Sequence, residues 1–165
     1  MLSFYVILAE IPLRIPYIVY NNILLKLMKN KKKAHIDTYE TVYSVDLVVA
    51  NESVTLEQLK KLYGYSDSEE LDDTMMNAVC TASRCIRKVD NKPICLVKYN
   101  HPSSYLKSKR DLEVDLINTC CHEAIHVMMD IYSYIEEKID TSMQEVFAYN
   151  VAWVAECIYK TLTKK

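Results

Sequence analysis

The stretch INTCCHEAIHVMMDIY, residues 117–132, decides how this chain is read. Its apolar members run almost all the way round a helix, and a helix of that composition is predicted to lie buried between layers. From Cys120 onward four polar side chains interrupt it: His122, Glu123, His126 and Asp130. Burying them costs free energy unless each finds a partner. His122 and His126 are four residues apart, so on a helix both imidazoles project from one face, within reach of a single metal ion. Glu123 lies beside that face, where it can take a proton from water held there. The chain has four histidines, and half of them fall in this pentapeptide. The plain alternative is a pair of core histidines hydrogen-bonded to carboxylates.

Zinc suits the pair, since it takes imidazole nitrogen at about 2.0–2.1 Å and, in catalytic sites, three protein ligands with water in the fourth position. Glu145 is the best candidate for the third ligand. The eighteen residues 127–144 suffice to finish the helix, turn, and present a new first turn to the metal. Thr141-Ser-Met-Gln144 has capping-box form, which places Glu145 at the fourth helical position. Asp130, one turn past His126, is the rival ligand; as a partner of a ligating imidazole it would orient the ring. Tyr149, one turn beyond Glu145, is a candidate donor to a developing oxyanion.

Outward from the motif, Tyr39 to Ala50 is β-branched and aromatic enough for a strand. Thr55-Leu-Glu-Gln58 has capping-box form and opens a short helix to Leu62, stopped by Gly64. An acidic loop, residues 66–73, follows. Asn77 to Val89 and Pro93 to Tyr99 read as two strands of a hairpin. After a loop beginning at His101, Ser108 or Asp111 caps a long helix to about Ile135, and a last helix runs from Thr141 to about Leu162. The order predicts an α+β domain: a small, three-stranded antiparallel sheet packed by helices on one face, ending in two long helices.

His122-Glu123-x-x-His126, eighteen residues, then Glu145 resembles the gluzincin metallopeptidases. Gln144-Glu145-Val146-Phe147-Ala148 is similar to the segment that carries their third ligand, with Gln144 where they usually have asparagine. The resemblance covers roughly Asn118 to Ala155. It implies zinc on His122, His126 and Glu145, with Glu123 as general base. No Gly-x-Met-Glu-Asn motif is present, so exopeptidase specificity is not implied. The compact layout also looks like the small single-domain zincin-like proteins encoded by tailed bacteriophages. The metzincin pattern fails, because Tyr132 stands where its third ligand would be.

At 165 residues, half hydrophobic and a quarter charged, the chain suits one globular domain. A net charge of −2 gives no reason to expect nucleic acid as a partner. Its single glycine excludes glycine-rich phosphate loops. The six cysteines form no Cys-x-x-Cys pair and read as buried thiols of a reducing, cytoplasmic compartment. Residues 1–27 form an apolar extension, interrupted by Glu10, Pro12, Arg14 and Pro16, before a domain spanning 28–165. Three readings of it stand: an over-extended reading frame before Met28, an accessory helix, or a membrane-surface anchor.

Two functions compete. One is a zinc-dependent hydrolase, a metallopeptidase acting on peptide or protein. The other is a non-catalytic zincin-fold protein, structural or regulatory and virion-associated in a phage, whose metal staples the core.

Overall fold

A computed structural model describes residues 32–65, 70–102 and 108–164. Contacts separate Met1–Lys32 from Lys33–Lys165, and the elements described below belong to the second unit. The readings of residues 1–27 lie outside the described residues, as does the start of the acidic loop at 66–69.

The stretch expected to form one strand forms two. β1 (Ile36–Tyr39) pairs antiparallel with β2 (Asp46–Ala50), Ile36 facing Ala50 and Tyr39 facing Leu47. Thr41 makes the turn between them: its hydroxyl donates to the Val45 carbonyl and accepts from the Tyr43 N–H. Ser44 closes it with φ of 60°, in the left-handed region. A polar side chain thus breaks a segment whose β-propensity was continuous.

All five residues of β2 are buried, the mark of a central strand covered on both faces. A short helix, α1 (Leu56–Leu62), follows, with Thr55 and Gln58 forming the expected capping box. Then come β3 (Tyr63–Tyr65), a 3-10 turn (Asp73–Met76), and the expected hairpin of β4 (Cys80–Arg87) and β5 (Lys92–Tyr99). β5 also pairs with β2, in parallel, which makes a five-stranded mixed sheet in the order β1-β2-β5-β4-β3. This replaces the three-stranded antiparallel sheet expected. The parallel pairing joins residues 48 apart, such as Asp46 and Ile94, and no local pattern encodes it.

The sheet is covered on both faces rather than one. Leu59 of α1, with Leu71 and Met75, packs on Val48, Ile94 and Leu96. The opposite face, with Leu47, Val49, Cys95 and Val97, carries two long helices, α2 (Lys109–Tyr134) and α3 (Gln144–Thr163). α2 starts at a capping box of Ser108 and Asp111. α3 has no side-chain cap: the Asp140 carboxylate accepts from the N–H and hydroxyl of Ser142 and turns the chain there. Glu145 is therefore the second helical residue, not the fourth.

Two charges sit deep in this frame. Asp46, with a side chain only 3 % exposed, accepts from Arg87 at 3.0 Å and Lys92 at 2.6 Å. Lys98 is fully buried, its ammonium donating to the carbonyls of Asn51 and Tyr99 at 2.8 and 2.6 Å. All six cysteines are free, and Cys121 alone is exposed. No helix among the described residues is long and apolar enough to cross a membrane.

Candidate metal centre

The motif helix is not buried all round. Cys120, Ala124, Val127, Met128 and Ile131 face the sheet, while His122, Ile125, His126 and Met129 face solvent. The reason is architectural: α2 is an outer layer, with the sheet beneath it and α3 at its flank. The two histidines therefore stand on its open side, as ligands approached from solvent require.

His122 and His126 converge. Their Nε2 atoms are 3.1 Å apart, and the rings meet edge-on at 4.7 Å between centroids. Two ligand atoms on a tetrahedral zinc ion stand roughly 3.3 Å apart at its usual bond lengths. The pair fits two positions of such a site. The same placing lets one imidazole donate to the other when no metal is bound.

Glu123, beside the pair, is buried against β4 and 6 % exposed. Burial raises its pKa, while His122, His126 and a hydrogen bond from the Ala82 backbone N–H oppose the shift. Ala82 lies in the part of β4 that β3 does not pair with, since β3 reaches only Cys85–Arg87. Among the described residues no strand pairs with the edge of β4 away from β5 there, and its backbone can meet a carboxylate. Asp130, half-buried two turns along the same flank, also has a raised pKa from burial, opposed by Arg84 and His126. Arg84 Nε is 3.6 Å from Asp130 Oδ1. His126 thus lies between two carboxylates on one edge of the helix.

Glu145 is not in this group. Phe147, two residues on, packs against Tyr132 at 5.5 Å between ring centroids, and Asn150 reaches the Tyr132 hydroxyl at 3.4 Å. Tyr132 is about 9 Å further along α2 than His126 and about a third of a turn round it. The start of α3 therefore sits at the far end of the motif helix, and Glu145 is exposed there. Tyr149 is 74 % exposed, and no hydrogen bond joins it to the histidines among the described residues. Among the described residues no group of three or more His, Cys, Asp or Glu side chains converges to hold a metal ion.

Arg84 and Ala82 were not legible as site residues. They lie about forty positions before the motif, and only the packing of α2 on β4 brings them to it.

An HExxH turn on the outer helix of an α+β sheet is the class of site these elements define. The chain matches no protein-family model, no curated protein and no solved structure. The likeness to gluzincins rests on the motif residues alone.

Proposed function

We propose that this protein is a zinc-dependent hydrolase of peptide bonds. The observation that carries the reading is the 3.1 Å convergence of His122 and His126 Nε2 beside the buried Glu123. His122 and His126 would supply two of the metal's ligands. When bound, zinc supplies Lewis-acid activation of water and of the scissile carbonyl. Glu123 accepts the proton that the water gives up and passes it to the leaving amine. Its burial favours this, since a base with a raised pKa holds the transferred proton better. Asp130 orients His126, and Arg84 fixes Asp130 in turn. The edge of β4 that β3 leaves open would take an extended chain beside the pair.

The reading of the metal as a core staple has less support. A staple joins separate elements, whereas both imidazoles belong to one helix and face outward. The phage likeness suggests no substrate beyond peptide or protein.

The test is zinc-dependent cleavage of a denatured protein or a peptide mixture by the purified chain, with Glu123→Gln beside it. The variant should keep its zinc and lose about two to four orders of magnitude in rate. Equal rates in the two proteins, or no bound zinc in either, would sink the proposal.

A further inference from the structure

On the other side of α2 from the histidine flank, a cleft of about 330 Å³ opens between the β1–β2 turn and α3. We propose that it binds an alkylammonium group, held against the rings of Trp153 and Tyr43 with Glu40 as counter-ion. The volume is at the lower end of the range for small-molecule sites.

The aromatic walls are held before any ligand arrives. Tyr39 packs edge-on against Trp153 at 6.4 Å between centroids, and Trp153 keeps 39 % of its surface exposed. Asn150 Nδ2 donates to the Tyr43 hydroxyl at 2.7 Å, and Tyr132 packs edge-on against Tyr43 at 5.7 Å. Thr41, held by its hydrogen bonds in the turn, and Met128 complete the lining.

The charge on this lining has one sign. Glu40 is exposed at the mouth, and no lysine or arginine lines the cleft among the described residues. Glu137 also acts on this end of the site: with burial and Tyr132 it raises the Tyr43 pKa, which the Asn150 hydrogen bond opposes. Aromatic faces attract cations through their quadrupole, tryptophan most strongly, and a carboxylate at the rim adds to that. A neutral apolar ligand would use the walls but gain nothing from Glu40.

Trp153 is the chain's single tryptophan, so fluorescence excited at the red edge, where the thirteen tyrosines do not absorb, reports on this cleft. The full chain is titrated at constant ionic strength with n-butylammonium and tetramethylammonium, and with 1-butanol as the uncharged analogue. The cations should give a saturable change at least about 5-fold tighter than the alcohol. Glu40→Gln should weaken the cations about 3- to 10-fold, leave the alcohol unchanged and leave the melting temperature in place. N-acetyl-lysine amide against N-acetyl-norleucine amide distinguishes the source. A lysine derivative binding like butylammonium assigns the site to a protein side chain, and one that fails while butylammonium binds assigns it to free amines. Equal binding of alcohol and cation, no saturable response to any cation, or an unaltered Glu40→Gln titration overturns the proposal.

Discussion

The Nε2 atoms of His122 and His126 stand 3.1 Å apart across one turn of α2, on its solvent side. Because both rings are exposed, their removal should cost the fold little and the metal much. His122→Ala and His126→Ala are each expected to lower zinc affinity by about 100-fold or more. Each should shift the melting temperature of the metal-free protein by no more than about 3 °C. Competition with a chromophoric chelator and a thermal melt measure the two quantities. Zinc affinity within about 10-fold of the parent in either variant places the metal elsewhere.

Asp130 shares the flank of His126, whereas Glu145 begins the next helix at the far end of the motif. We expect Asp130→Ala to weaken zinc binding by about 10- to 100-fold, the usual cost of losing the partner that orients a ligand. Glu145→Ala should change it less than about 3-fold. This reverses the order that the gluzincin spacing suggests. A larger loss in Glu145→Ala would show that α3 moves to bring its carboxylate to the metal.

Asp46 joins Arg87 and Lys92 at the start of β2, with a side chain only 3 % exposed. Replacing it with alanine leaves two cations facing a buried gap and should cost about 2–4 kcal/mol in urea unfolding. Asp90→Ala, which removes the exposed partner of Arg87 and the acceptor of the Lys92 N–H, should cost less. Equal losses would mean that the ion pair at Asp46 is screened by water.

Lys98 gives a pH signature. Burial lowers its pKa to about 8, with Glu52 and Cys80 opposing the shift. Since the folded-state pKa lies below the unfolded one, the ammonium opposes folding below pH 8. As pH rises from about 8 to 10.5 the folded protein sheds its proton first, and stability gains up to about 3 kcal/mol from this group. The stability of the parent minus that of Lys98→Met should therefore climb across this window. Lys98→Met also leaves the Asn51 and Tyr99 carbonyls without their donor, which lowers its stability at every pH and does not alter the slope. A flat difference would mean that the two carbonyls and Glu52 fully offset burial.

The sequence by itself determined what depends on neighbours within one or two turns. A four-residue spacing on a helix sets His122 and His126 on one face whatever surrounds them. The boxes at Thr55 and Ser108 close within three residues, and the hairpin of β4 and β5 joins adjacent segments. Tertiary structure decided which side of each element meets which partner. It paired β2 in parallel with β5. It turned Glu123 and Asp130 toward Ala82 and Arg84, and set Glu145 apart from the histidines. Those outcomes depend on contacts between residues forty or more apart, or on the direction of a helix after a turn. Residue spacing fixes the position of a side chain on its own helix, and only the packing of helices on the sheet fixes what that side chain faces.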